Sequence, residues 1–233
     1  MPLKLNDVTL VCIDDVAHDL ASRAIADTLD VIDPAAIITW SSRPLTHRLG
    51  SYNVHAEPRS LDEVMRLLWY DVPTRVMTSH FMVVQWDGWA TNASAWDPRW
   101  LFLDYIGAPW GWHGGKHEVG NGGFSLRSTV LARWVARSGS YPAVRGIPED
   151  EVLCRTYRHR LEIEGFIWAT VEQAERFSFE RAAPRPSFGF HGSWNWPAVM
   201  DRDRLTERIA LANDYVKGTV GWRDLMRIME AAA

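Results

Sequence analysis

Several short segments of the chain combine residue types that can do chemistry. Asp87 directly follows the apolar run Phe81-Met82-Val83-Val84, within Gln85-Trp86-Asp87-Gly88-Trp89. A carboxylate at the end of a strand can bind a divalent cation that in turn holds phosphate oxygens. It can equally close an Asx turn before a glycine. Glu149-Asp150-Glu151 follows Pro148. Acids at a helix start are stabilised as anions, and such an anion is available as a general base; ordinary first-turn acids look the same. His191 stands between glycines in Phe188-Gly189-Phe190-His191-Gly192, where a neutral imidazole could ligate a metal or simply pack. Gly120-Asn121-Gly122-Gly123 lets backbone approach a ligand closely or allows a bulge. Arg127 follows it and either meets a phosphate or lies on the surface.

Other familiar chemistries find no support. The glycine spacing is not that of a dinucleotide fingerprint, and no Gly-Lys-Ser/Thr phosphate loop occurs. His113 and His117 are four apart, but Gly114-Gly115 lies between them and no glutamate follows the first, which argues against a zinc protease. Two cysteines, Cys12 and Cys154, are too few for a disulfide framework or a cysteine-based zinc site.

These residues need a scaffold. Val8 to Ile13 is a continuous apolar, β-branched run that reads as a buried parallel strand ending at Asp14-Asp15. A helix over Ala17 to Leu29 and a second buried strand over Ala35 to Trp40, ending at Ser41-Ser42, complete a strand–helix–strand opening of an α/β sheet. Ligands in such sheets sit beyond the carboxyl ends of the strands. Asp14 and Ser41 therefore stand at the expected binding edge, or merely cap and turn there. Pro44 to Ser60 reads as a long loop, and Ser60 with Glu63 as the capping box of the next helix. A third strand covers Phe81 to Val84, short strands follow at Tyr105 to Pro109 and Phe166 to Ala169, and helices are expected over Ser128 to Arg137, from Pro148 to Glu164, and over Asp201 to Asn213 and Trp222 to Ala231.

The 233 residues are enough to bury a core without staples. A net charge of −4 speaks against a general nucleic-acid binder. No basic segment leads a long apolar run at the N-terminus, and no stretch approaches the ~20 apolar residues of a membrane span. The expectation is a soluble, cytoplasmic protein with a domain over 1–196 and a helical extension over 197–233 packed on it.

Taken in order, the strand-end Asp, the glycine-rich segment, the Glu-Asp helix start and the late His resemble a GT-A glycosyltransferase. The similarity is closest to an uncharacterised, mostly microbial and fungal, GT-A-like family of unknown function. It is carried by Gln85-Trp86-Asp87-Gly88, Asp104-Tyr105-Ile106-Gly107-Ala108-Pro109-Trp110, Val119 to Ser128, Pro148-Glu149-Asp150 and Phe188 to Gly192. The resemblance implies an α/β, Rossmann-like mixed sheet flanked by helices. It implies transfer of a sugar from a nucleotide-sugar donor to the hydroxyl of a glycan or other acceptor, with inversion and with Mn2+ or Mg2+. Asp87 would stand for the metal-binding Asp of the family's Asp-x-Asp motif, whose first acid is here Gln85, and His191 for the late metal-binding His. Asp150 would be the base and Glu149 its support. Asp14 and Ser41 would lie near the nucleoside, Gly122 and Gly123 against the donor sugar, with Arg127 at the phosphates and Asp104 on the acceptor side. A single-displacement inversion needs one carboxylate base, unlike hydrolases that flank the bond with two.

Thirteen tryptophans are a further peculiarity, and six of them fall between Gln85 and His113. Flat aromatic faces suit sugar rings, and an indole N–H can donate a hydrogen bond. Trp110 and Trp112 are the expected acceptor platform, while Trp40, Trp69, Trp134 and Trp168 read as core. A carbohydrate-binding or inactive module, or another nucleotide-sugar enzyme, would use the same features.

Overall fold

A computed structural model describes residues 1–46, 50–111, 117–138 and 146–231. The central sheet has six strands in the order β3-β2-β1-β4-β7-β6. These are β1 (Leu3–Ile13), β2 (Ile32–Ser41), β3 (Tyr52–His55), β4 (His80–Val84), β6 (Tyr105–Gly107) and β7 (Phe124–Ser128). A second sheet, ordered β5-β9-β8, joins β5 (Gly88–Ala90), β8 (Ser178–Phe179) and β9 (Gly189–His191).

Alternation along the central strands separates two apolar layers. Val8, Leu10 and Cys12 of β1 and Met82 and Val84 of β4 face one cluster, with the helix His18–Val31 and the small sheet. Val11, Ile13, Phe81 and Val83 face the other, with Trp40, Trp69 and Leu153. A strand's side chains point alternately to opposite faces, so a strand buried on both sides must be apolar throughout. That is why β1 carries no polar alternation where it is read most easily.

The direction of β7 decides where the chemistry gathers. β1 pairs in parallel with β2 and β4, but β7 runs antiparallel between β4 and β6. Val84 at the end of β4 therefore pairs with Phe124 at the start of β7. The turn carrying Asp87 and the glycine segment ahead of Phe124 emerge at the same sheet edge as Asp14 and Asp15.

Most expected elements are present. Ser60 and Glu63 form the capping box of the helix Leu61–Arg66. Three differ. The segment read as a loop over Pro44 to Ser60 contains the edge strand β3, which lacks the apolar run that marks buried strands and is exposed or half-buried throughout. The strand expected over Phe166 to Ala169 is a single bridge, Tyr105 to Trp168. The helix starting at Glu149 is interrupted by a π-helical turn, Val152–Thr156, before continuing as Arg158–Ile163.

The C-terminal helices Arg202–Ala210, Asp214–Gly218 and Val220–Ala231 bury Leu205, Val216, Trp222 and Leu225 in the same apolar cluster as β1. Arg208 is buried, lies 4.5 Å above the Trp89 ring and ion-pairs with Asp27 of the first helix. Among the described residues no helix is long and apolar enough to cross a membrane.

Candidate active site

Asp87 sits in the tight turn between β4 and β5, where Gln85 and Gly88 exchange backbone hydrogen bonds. Gly88 pairs with His191 across β5 and β9. That register brings together two residues more than a hundred positions apart in the chain. Asp87 Oδ1 lies 3.4 Å from His191 Nε2, and both side chains are nearly enclosed. His191 Nε2 is buried with no hydrogen-bond partner. Its Nδ1 faces Glu180 Oε1 at 3.2 Å and the Asn121 side-chain amide at 3.0 Å. Burial opposes the charged imidazole, but the carboxylates of Asp87 and Glu180 outweigh it and push the pKa up to about 10.

The segment Asn121 to Gly123 joins this pair to the two acids of the helix start. A Cβ on Gly123 would lie 2.0 Å from His191 Nε2, so the imidazole rests on bare backbone. The Gly122 N–H donates to Asp150 Oδ2 at 2.7 Å. A Cβ on Gly122 would lie 2.5 Å from Glu149 Oε1. One glycine thus accommodates the histidine, and its neighbour accommodates the carboxylates.

Glu149 and Asp150 are adjacent in sequence but differ in environment. Glu149 is buried and accepts a 2.8 Å charge-assisted hydrogen bond from Arg127 Nη2. Arg127 also donates to Ser125 Oγ and to the Gly122 carbonyl, and its guanidinium lies 5.1 Å from the centre of the Tyr105 ring. Asp150 is half-buried and accepts from the backbone N–H groups of Gly122 and Glu151. Burial and the charge of Glu149 raise its pKa to about 7. A carboxyl that ionises near neutrality is matched to proton abstraction at physiological pH.

A cavity of about 320 Å³ opens at the end of β1 and the turn after β4, lined in part by Asp14, Asp15, Arg59, Gln85, Trp86 and Tyr215; Asp87, His191, Glu149 and Asp150 do not line it. Asp14 reaches it, but Asp14 Oδ1 is engaged by the N–H groups of Val16 and Ala17, so it also caps the turn into the first helix. Burial raises its pKa.

Several expected site residues have other work. Ser41 is fully buried, and its hydroxyl donates to the Arg43 carbonyl rather than facing the cavity; the Ser42 N–H is the group that reaches Asp15. Arg127, expected at the phosphates, is enclosed behind the glycine segment in its pairing with Glu149. Asp104 stands at the opposite edge of the sheet, because β6 runs away from it towards Gly107. There it accepts from Ser128 Oγ and from the Ile167 N–H and braces β7 and the segment after Phe166, away from Asp87 and His191. Trp110 is buried with its ring against Gly120, and it also contributes to the lining of a second cavity of about 410 Å³. Trp112 lies outside the described residues. Trp40, Trp69 and Trp168 are core residues, as expected.

Glu180, Asn121 and Tyr215 escaped sequence reasoning as site residues. Glu180 follows β8 with no motif around it; only the pairing of β8 with β9 brings it to His191. Tyr215 belongs to the short helix Asp214–Gly218, which falls between the two C-terminal helices expected from the sequence.

Residues 65–191 match the family described as Protein of unknown function (DUF5672). The chain belongs to that family. The matched stretch of this DUF5672 protein includes Asp87, the glycine segment, Glu149-Asp150 and His191, and excludes β1 and Tyr215. No curated protein sequence matches the chain. Among solved structures, it is similar to a glycosyltransferase involved in the glycosylation of the major capsid of PBCV-1, at 12% identity and a TM-score of 0.50, over 88% of this chain and 99% of that one. It is also similar to the apo form of the glycosyltransferase GlyE of Streptococcus pneumoniae TIGR4, at 10% identity and a TM-score of 0.48, over 96% of this chain and 63% of that one. The fold is GT-A-like: a mixed sheet with one reversed strand, flanked by helices, and a small second sheet.

Proposed function

We propose that this protein transfers a sugar from a nucleotide-sugar donor to an acceptor hydroxyl, by inversion at the anomeric carbon. The observation that carries the reading is the meeting of Asp150 and His191 at Gly122 and Gly123, with Asp87 facing His191, at the sheet edge where Asp14 and Gln85 line a cavity. The GT-A-like fold supports it. The acceptor could belong to a surface polysaccharide or another glycan.

Asp150 is the base. Its Oδ2 is held by the Gly122 N–H, so the carboxylate is fixed to the same glycine segment on which His191 rests. It takes the acceptor's hydroxyl proton as the acceptor oxygen forms its bond to the anomeric carbon. The bond to the nucleotide's phosphate oxygen breaks, and the electron pair leaves with the nucleotide, which needs no second acid. Glu149, tied to Arg127, supports Asp150 by charge and position and does not meet the acceptor.

Asp87 and His191 suit a divalent cation. Their facing atoms are 3.4 Å apart without a hydrogen bond, and His191 Nε2 has no partner. Among the described residues no third His, Cys, Asp or Glu completes a metal-holding group. The chain would thus offer two ligands and leave other positions to donor phosphates and water. A bound Mn2+ or Mg2+ would neutralise charge developing on the leaving pyrophosphate.

The test pairs a nucleotide-sugar panel, read by thermal shift with and without Mn2+, with transfer assays on Asp150→Asn. A donor that binds the folded chain raises its melting temperature. D150N is expected to keep that shift and lose transfer by about 100-fold or more. Glycan binding without any nucleotide-sugar shift would instead identify a carbohydrate-binding module. Donor turnover independent of acceptor would identify a hydrolase.

A further inference from the structure

Glu180 is a buried carboxylate that the transfer chemistry above does not use. It lies just beyond β8, and its side chain is 8% exposed. Its Oε1 is 3.2 Å from His191 Nδ1, and its Oε2 is buried with no hydrogen-bond partner. The surrounding backbone is pinned. Trp194 Nε1–H and Asn195 Nδ2–H both donate to the Glu180 carbonyl, at 3.0 and 2.7 Å. Asn195 Nδ2–H donates in addition to the His191 carbonyl at 2.8 Å. One asparagine therefore clamps the histidine and the glutamate to each other, and the pairing of Phe179 with Phe190 holds the strands behind them. A buried acid held this firmly needs a reason, because an enclosed carboxylate with one oxygen unpaired costs stability.

We propose that Glu180 is a positioning residue that presents His191 Nε2 to a divalent cation, by accepting the Nδ1–H of the same ring. Imidazole has one proton and one lone pair when neutral, and whichever nitrogen hydrogen-bonds to a carboxylate keeps the proton. With Nδ1–H held by Glu180, it is the Nε2 proton that an arriving cation displaces, and its lone pair is then on the nitrogen that faces Asp87. A carboxylate behind a ligating histidine also makes the ring a better donor and fixes its plane. Asn121 Nδ2 lies 3.0 Å from Nδ1 while its Oδ1 accepts from the Phe124 N–H at 3.4 Å; a half-turn of the amide would give up that long bond and let its oxygen accept from Nδ1 beside Glu180. Gly123 beneath the ring and Glu180 behind it thus define one orientation of His191. The proposal rests on the metal-binding part of the reading above and is independent of the role of Asp150.

Titrating Mn2+ into the full chain, followed by the electron paramagnetic resonance signal of the free ion, reads the site without any turnover. Wild type is expected to show one saturable site that His191→Ala abolishes. Glu180→Gln keeps the shape and removes the charge, and Glu180→Ala removes both. They should weaken Mn2+ binding by about 10-fold and up to about 100-fold, respectively, and Glu180→Asp should recover part of the loss. Thermal melts of each variant fix the folded fraction used in every titration. If the folded fractions of E180Q and E180A bind Mn2+ as wild type does, His191 ligates without Glu180 and the proposal is overturned. If wild type shows no saturable Mn2+ site, the metal reading and this proposal fall together, while the base role of Asp150 still stands or falls on D150N.

Discussion

The two neighbouring acids at the helix start show how little identity says about role. Glu149 faces a buried guanidinium and accepts its hydrogen bond; Asp150 faces backbone donors and the charge of Glu149. A pKa of about 7 makes transfer pH-dependent in a definite direction. The rate should fall roughly tenfold per unit as pH drops below about 7, as the base becomes protonated. A pH profile that stays flat from 5 to 8 would remove Asp150 from the chemistry. Stability responds in the opposite sense. The folded pKa lies above the ordinary carboxylate value, so Asp150 costs nothing below about pH 4 and progressively destabilises the fold as pH rises to about 7. Asp150→Asn should therefore raise the melting temperature at pH 8 more than at pH 4, by a few degrees if the gain is about 1 kcal/mol. Equal shifts at the two pH values would contradict the raised pKa.

At the scale of elements, the reversal of β7 is the decisive feature. It delivers the glycine segment to the edge where β4 ends, and the pairing of β5 with β9 delivers His191 to the same place. The glycines are there to be stacked upon. Gly123→Ala puts a methyl group where the His191 ring lies, and the ring, as the end of a side chain, must swing away. The fold should survive with a modest change in melting temperature. Metal-dependent donor binding should weaken by about tenfold or more, a change of about 1.4 kcal/mol, measurable by titration calorimetry. Unchanged affinity in G123A would mean that the orientation of His191 is immaterial. The glycine run was legible as a place of close backbone approach. What approaches it was not, since a side chain from seventy residues away and a ligand leave the same trace in composition.

For the molecule as a whole, the tryptophans and the C-terminus tell one story. Trp89, Trp100, Phe124, Phe177, Phe188 and Phe190 pack edge-on and stacked between the small sheet and the central one. The aromatic excess is thus mostly core, divided between the two apolar layers on either side of the central sheet. Edge-to-face pairs add about 0.5–1.5 kcal/mol each to the burial itself. The C-terminal helices cover the same cluster and bring Tyr215 to the cavity. Cutting the chain after residue 196 would remove Val216, Trp222 and Leu225, uncover the apolar cluster they pack into and leave Asp27 without Arg208. Residues 1–196 alone are expected to lose cooperative melting in circular dichroism. A truncated chain that melts as sharply as the full one would establish an independent domain.

The sequence by itself determined the local and the periodic. Buried strands announce themselves because both of their faces must be apolar, helix starts because their orphan N–H groups need caps, and the Asp87, Gly122-Gly123, Glu149-Asp150 and His191 segments because their residue types are unusual where they stand. Only the tertiary structure decided which of these meet. Asp104 and Trp110 carried the same kind of signal, yet one is a brace at the far edge and the other a buried core ring. Glu180 carried no signal, yet stands against His191. Strand direction and register fix such encounters, and they depend on pairings across the whole chain. A window of sequence records which residues are present and not which strand will lie beside them.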